Sequence, residues 1–485
     1  MRPADARFAA AVAATAGLFY LGGQFVWDDG PLIAQRLARL DLSGILGLWT
    51  APVTESGPGS AYYRPVAMSL LACLGRFGPL PIHLCALLLH AASAHMLVRL
   101  SSRLRAPLLG GLVFAVHPLV GEVLGWSSAL PDALAVFFGL LSVQLARRHP
   151  VLSIVALTLG IWSKETAAVV ALLVALGREE GGQYWRPWLA AVVVGLSTRF
   201  LVGVGGVSLA VQNLNLIPDA LGWAMAGLVW PFPLHVIRDV LVAPGSAVIL
   251  GWGLTAALVA FAGRHRAAWA GLGLMLASHA VALPVVLDGY LIGARYSYPA
   301  LVGAALWLAS VGRPAVRVWP WIVIAMPALV FHAQDRVRWT SDMALFDRVE
   351  SAAYDSGLAW HLWAMVNLQA SNFSAAGQAF DRALASEKPY PGDETLRLVA
   401  WVSAGEHQRA LAAAEGGPQE GLTAAHLAWW ARAAWGAGDK EQARRILSRL
   451  RGPDGFDGPQ WVQSFATAVF MDAQPVEKPM PTLSP

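Results

Sequence analysis

The sequence is short of charge. Asp, Glu, Lys and Arg make up 14% of its 485 residues, against about 25% in soluble domains. With 56% hydrophobic residues and a mean hydropathy of +0.51, one large soluble core is excluded and a polytopic membrane chain is indicated. Lysine is almost missing: Lys164 is the only one before Lys388. Basic charge is carried mainly by arginine, standing singly or in small groups between apolar runs. That placement fits membrane topology rather than a nucleic-acid surface, so the net charge of +4 implies no nucleic-acid partner. Cysteine is scarce too. Cys73 and Cys85 are too few for a disulfide framework and lack zinc-ligand spacing, so they read as buried thiols. No phosphate-binding glycine loop, dinucleotide fingerprint, haem signature or flavin signature occurs.

What is present is apolar sequence over about residues 7–333, followed by an ordinary polar and apolar mixture from about 336. This predicts two parts. Arg2 and Arg7 precede FAAAVAATAGLFYLGGQFV, a run long enough to span. It reads as an uncleaved anchor, with a cleaved signal peptide as the competing reading. The further candidate spans are 80–98, 106–121, 131–146, 150–163, 165–177, 187–206, 244–262, 267–287, 297–312 and 318–333. Segment 216–236 carries Pro231 and Pro233, and either crosses or returns to its own side.

If it returns, Arg2, Arg7, Arg99, Arg103, Arg105, Arg147, Arg148, Arg178, Arg186, Arg264, Arg266, Arg313 and Arg317 share one face. The positive-inside rule makes that face cytoplasmic. The opposite face receives Asp28, Asp29, Arg64, His117, Glu122, Lys164, Glu165, Asp288 and Arg295, and the C-terminal part. Arg36, Arg39, Arg64 and Arg76 in the first outer loop run against the rule, which a cavity or an anionic ligand would explain.

Several motifs on that outer face could carry chemistry. FVWDDG ends the first span with Asp28 and Asp29; paired acids suit metal binding, or a general base whose pKa a like charge raises. YYRPVAMSLL reads as an interfacial amphipathic helix, with Arg64 either pairing with an anionic lipid phosphate or serving as an ordinary interfacial anchor. VHPLVGEVLGW sets His117 and Glu122 at one boundary, off the spacing of a helical zinc pair; Glu122 suits a hydrogen bond to a sugar hydroxyl. IWSKETAAVV places Lys164 and Glu165 in a short link, where adjacent side chains point apart. LIGARYSYPA offers Arg295 with Tyr296 and Tyr298, and arginine suits bidentate phosphate binding. Arg199 is a second arginine at membrane depth, by default functional or paired to a carboxylate. The set implies a site for an anionic, membrane-borne substrate with acid-base chemistry beside it.

The C-terminal part repeats. Ala376, Ala410 and Ala443 recur at 34 and 33 residues, and Trp360 and Trp430 precede the first and the last. This resembles tetratricopeptide repeats, helix pairs that stack and bind peptides or proteins. The tail 472–485, with four prolines, is expected to be disordered.

FVWDDG, YYRPVAMSLL, HPLVGEVLGW, WSKETA and RYSYPA in this order, with C-terminal repeats, resemble the transmembrane-and-tetratricopeptide O-mannosyltransferase family, of the GT-C class. The resemblance covers nearly the whole chain. It implies an all-α fold: a GT-C-type bundle of about 11–12 spans, then a small tetratricopeptide-like α-solenoid. The expected domains are 1–335 catalytic, 336–455 repeats, and 456–485 an extension with the proline-rich tail. The donor would be a sugar, mannose in the family's name, on a polyprenyl phosphate. The acceptor would be a protein or glycan hydroxyl, with an acceptor protein docking on the repeats. Asp28 matches the catalytic base, Asp29 would support it or bind the acceptor, and Glu122 matches the acid after the His-Pro motif. Lys164 and Arg295 match positions that hold the donor phosphate, with Arg64 and Arg199 as further candidates. His117, Asp132, Glu165, Tyr296 and Tyr298 are the candidate substrate contacts. No nucleotide is implied, and a divalent ion on Asp28 and Asp29 stays open. The implied location is a bacterial inner membrane, with the active site and repeats in the periplasm. Asp132 lacks the family's usual preceding basic pair and Gln35 stands where Asn is common, which leaves sugar and acceptor undetermined. A non-enzymatic scaffold presenting the repeats, and a transporter, are the other readings; no inverted repeat of spans supports the latter.

Overall fold

The computed structural model describes residues 3–54, 61–178, 185–202, 211–231, 243–289, 293–313, 319–347, 356–386, 389–390, 392–417, 422–452 and 455–471. Their regular secondary structure is helical apart from two antiparallel pairs of two-residue strands, Val53–Thr54 with Ala61–Tyr62 and Arg451–Gly452 with Gly455–Phe456. The chain divides into two compact units, Met1–Leu345 and Phe346–Ser484.

The first unit contains α1 (Pro3–Leu18), α2 (Leu42–Gly47), α3 (Pro65–Gly75), α4 (Leu80–Leu100), α5 (Pro107–Val116), α6 (Val120–Gly125), α7 (Leu130–Leu145), α8 (Pro150–Ile161) and α9 (Thr166–Leu176). It continues with α10 (Trp185–Leu201), α11 (Ile217–Gly227), α12 (Gly245–Ala262), α13 (Arg266–Gly289), α14 (Ser297–Val311) and α15 (Trp319–Asp335), and α16 (Asp342–Phe346) ends at the boundary. Among the described residues four stretches are helical, long and apolar enough to cross a membrane: Leu80–Leu100, Ser127–Leu145, Gly245–Ala262 and Arg266–Leu283. Shorter apolar helices, among them α5, α8 and α9, complete the bundle.

The apolar runs and the helices coincide, with instructive exceptions. The first run, expected to extend to residue 25, is helical only to Leu18. The chain then turns at Leu21–Gly23, and the Tyr20 hydroxyl anchors the turn on His332 Nδ1 (2.7 Å) and Asp335 Oδ2 (3.1 Å). In segment 216–236, α11 stops at Gly227; residues 232–242 lie outside those described, and with them the crossing question. The Asp288 side chain and the tail 472–485 also lie outside.

Small residues let the helices approach closely. Ala6, Ala9, Ala13 and Ala16 form one buried face of α1, which packs against α4. Gly271 of α13 and Gly303 of α14 lie so close that a methyl group on either would strike the other's carbonyl oxygen. Small-residue faces of this kind suit helix packing in lipid, where apolar burial supplies little drive.

Above α3 and α4 the first loop is pinned by its own core. Ile33 and Leu37, fully buried, pack with Met68, Leu71, Ile82 and Leu130. This fixes the π-helical turn Gly30–Ala34 immediately after the aspartate pair.

The boundary between units falls at Leu345/Phe346, later than the expected 335/336. The 3₁₀ turn Arg336–Thr340 belongs to the first unit: Trp339 is buried against Gly125, and its carbonyl accepts the Gln24 N–H at 2.8 Å.

The second unit contains α17 (Gly357–Gln369), α18 (Phe373–Ala385), α19 (Asp393–Ser403), α20 (His407–Glu415), α21 (Ala424–Gly436), α22 (Lys440–Ser448) and α23 (Gln460–Phe470). α17/α18, α19/α20 and α21/α22 are three successive helical hairpins. Ala376, Ala410 and Ala443 are wholly buried on the second helix of each. Each hairpin turns through one left-handed residue: Ser371 (φ 62°), Gly405 (φ 77°) and Gly438 (φ 92°). α23 packs on α21 and α22, so this stretch continues the helical stack rather than forming a separate extension.

Candidate functional site

Asp28 and Asp29 stand where α1 has ended and the first loop begins. Trp27 before them holds a left-handed backbone (φ 54°), with its N–H donating to Asp342 Oδ1 at 2.6 Å. Its indole stacks on Trp126 at 5.0 Å between centroids, nearly parallel. Such a backbone costs about 1–3 kcal/mol in a bulky residue and persists only where its surroundings impose it. Trp126 Nε1 donates to Asp28 Oδ1 at 3.0 Å.

Asp29 has a different environment. It is fully buried and accepts four hydrogen bonds: from Ser128 N (2.7 Å) and Oγ (2.6 Å), and from Val26 N and Ser127 N (both 3.3 Å). Burial, then the charge of Asp28, push its carboxyl well above the usual carboxylate range, against the pull of those donors. Asp29 therefore ties the Asp28 loop to the turn preceding α7. Both Asp29 oxygens are engaged by these donors, and among the described residues no group of three or more His, Cys, Asp or Glu could hold an ion.

Arg295 connects the acid pair to the lysine. Its guanidinium lies 4.2 Å from the Trp126 ring centroid and 4.9 Å from that of Tyr296. It meets Glu122 Oε1 at 3.4 Å, while Glu122 Oε2 accepts the Ala294 N–H at 2.8 Å. Burial raises the Glu122 carboxyl and Arg295 opposes that shift. Lys164 Nζ lies 5.1 Å from the same Tyr296 ring and bonds Asp132 Oδ1 at 2.6 Å, with both partners buried. Glu165 points elsewhere, to Arg64 Nη2 at 3.3 Å. Burial works against the Arg64 charge, but Glu165, Tyr62, Asp132 and Tyr296 around it prevail and hold its pKa up. Arg64 Nε is buried with no hydrogen-bond partner among the described residues.

Local sequence explains these positions. Lys164 and Glu165 sit in the link between α8 and α9, Asp132 in the first turn of α7, and Arg295 and Tyr296 in the turn before α14. The ends of separate helices thus converge. Asp28, Asp29, Glu122, Asp132, Lys164, Glu165, Arg64, Arg295 and Tyr296 form one connected neighbourhood. Two expected contacts stand differently. Tyr298 is buried in the bundle, bonded to His90 Nδ1 at 2.9 Å and packed on Phe114. His117 Nε2 is engaged with the Leu228 carbonyl at 3.1 Å. Arg199 lies on α10, and its side chain is outside the described residues.

Trp27, Trp126, Ser128 and Asp342 were not singled out by sequence reasoning. The one available signal was the placing of both tryptophans inside the acidic motifs FVWDDG and GEVLGW. Comparison of the chain with protein-family models, with curated proteins and with solved structures finds no match to any of them.

Proposed function

We propose that the chain is a membrane glycosyltransferase of GT-C type that moves a sugar from a polyprenyl phosphate to a protein or glycan hydroxyl, with inversion. One observation carries the reading: Lys164 and Arg295 face a single tyrosine ring, one contact away from the Trp126 that holds Asp28. A cation pair beside a carboxylate suits a phosphate leaving group and an attacking hydroxyl. Asp28 takes the acceptor proton as the hydroxyl oxygen bonds the anomeric carbon. The bond from that carbon to the phosphate oxygen breaks, and the lipid phosphate leaves with the electron pair. Lys164 and Arg295 neutralise its growing charge. A lysine ammonium has three donors, of which Asp132 takes one in this structure. The unpartnered Arg64 Nε is a further donor in the same neighbourhood. In this reading the bundle crosses a bacterial inner membrane many times, and the cluster and the tetratricopeptide-like unit face the periplasm.

The test is transfer from a polyprenyl-phosphate sugar by the purified chain, read by mass spectrometry of the acceptor. Asp28→Asn is expected to lower the rate about 100-fold or more while the protein stays folded. Undiminished transfer by this variant would remove Asp28 as base. The helical hairpins favour a second reading, a scaffold that presents the repeats. It requires function to survive Asp28→Asn and to vanish when residues 346–485 are deleted.

A further inference from the structure

A cavity of about 990 Å³ opens in the first unit away from the cluster described above. Arg7, His95, Arg99, Arg147, Arg148 and Arg178 line it, and no acidic residue does among those described. Asp5 shares the first turn of α1 but is not part of the lining. Leu100, Val143 and Ala175 supply apolar wall. These groups come from the start of α1 and the ends of α4, α7 and α9, whereas Asp132 and Lys164 sit at the beginnings of α7 and α9. Along α7, Asp132 stands about 17 Å from Val143 and about 22 Å from Arg147 of the lining.

Arginines at helix C-termini have an ordinary use, offsetting the negative end of the helix dipole. Arg178 does this, donating to the Leu100 carbonyl at 3.0 Å. Three helix ends carry about 1.5 negative charges together, fewer than the five guanidinium charges gathered around the hollow. The volume is at the upper end of that of small-ligand pockets. Topology alone would place arginines at this face; it would not gather five around one hollow.

We infer that this cavity binds a multiply charged phosphate group, supplied by an anionic lipid headgroup of the adjoining leaflet or by soluble pyrophosphate. Guanidinium pairs suit phosphate oxygens, and the apolar wall accommodates the acyl region of a lipid. The inference is independent of the glycosyltransferase reading.

Native mass spectrometry of the purified full chain tests it, with cardiolipin, phosphatidylcholine and inorganic pyrophosphate as probes. Arg147 and Arg148 are exposed, so the double variant Arg147→Gln/Arg148→Gln preserves the core. It is expected to lose about tenfold or more of the cardiolipin retained over phosphatidylcholine. The control is Arg264→Gln/Arg313→Gln, exposed arginines outside the lining, which are expected to change retention less than about twofold. Cardiolipin that pyrophosphate does not displace identifies the lipid source, and displacement identifies the soluble one; either supports the site. Equal losses in the two double variants, or binding of neither anion above the phosphatidylcholine level, would overturn it.

Discussion

At the scale of single residues the buried pair Lys164–Asp132 makes the sharpest statement. The partners are 7% and 2% exposed and 2.6 Å apart. Removing one member of such a pair leaves an uncompensated buried charge and costs about 3–5 kcal/mol, while replacing both with apolar groups is often neutral. Asp132→Leu alone is therefore expected to lower the thermal midpoint sharply in detergent, and Lys164→Met/Asp132→Leu to recover most of the loss. Equal loss in both proteins would show that the pair is not coupled. Asp29 gives a pH prediction. Its folded pKa is raised, so the folded chain keeps a proton that the unfolded chain releases. Stability attributable to this group is present below the unfolded value, about pH 4, and falls as pH rises towards the folded one. Thermal scans across pH should show that slope in the wild type and a flatter one in Asp29→Asn.

At the scale of elements, the three hairpins of the second unit share one turn geometry but not one residue. Gly405 and Gly438 take the left-handed position without strain, whereas Ser371 takes it at a cost. Ser371→Gly is expected to gain up to about 1 kcal/mol and Gly438→Ala to lose about as much, as measured by urea unfolding of the second unit within the full chain. The repeat was legible because burial repeats: Ala376, Ala410 and Ala443 had to be small where two helices touch. Most of the apolar helices were legible for the same kind of reason, continuous runs ended by Arg, Gly or Pro. The end of α1 was not. Tyr20, Leu21 and the glycines after it read as a continuing span, and only the distant partners His332 and Asp335 make them a turn. The charged residues that converge were legible, while the tryptophans, Ser128 and Asp342 that position them, and the wiring between them, were not. Nothing near Lys164 in sequence identifies Asp132 as its partner, or Tyr296 as the ring shared with Arg295.

At the scale of the first unit, α7 and α9 each begin beside the Asp132–Lys164 pair and end at the arginine-lined cavity. If the bundle spans a membrane, its two ends face opposite compartments. Cysteines introduced for Thr50 and for Ser102, in a protein with Cys73 and Cys85 replaced, should react with an impermeant maleimide from opposite sides of sealed vesicles. Labelling of both from the same side would refute the spanning arrangement. The boundary at Leu345 matters at this scale too. Severing the chain after residue 335 would strip away Trp339, whose ring and carbonyl close the first unit over Gly125 and Gln24.

The scarcity of lysine has a practical use. Lys164 carries the one side-chain amine in the first 387 residues, and it is buried. An amine-acylating reagent therefore has a single side-chain amine to form a stable amide with across the whole bundle, shielded while the Asp132 contact holds. The mass increment on the peptide containing it would time each opening of that neighbourhood, with no engineered label.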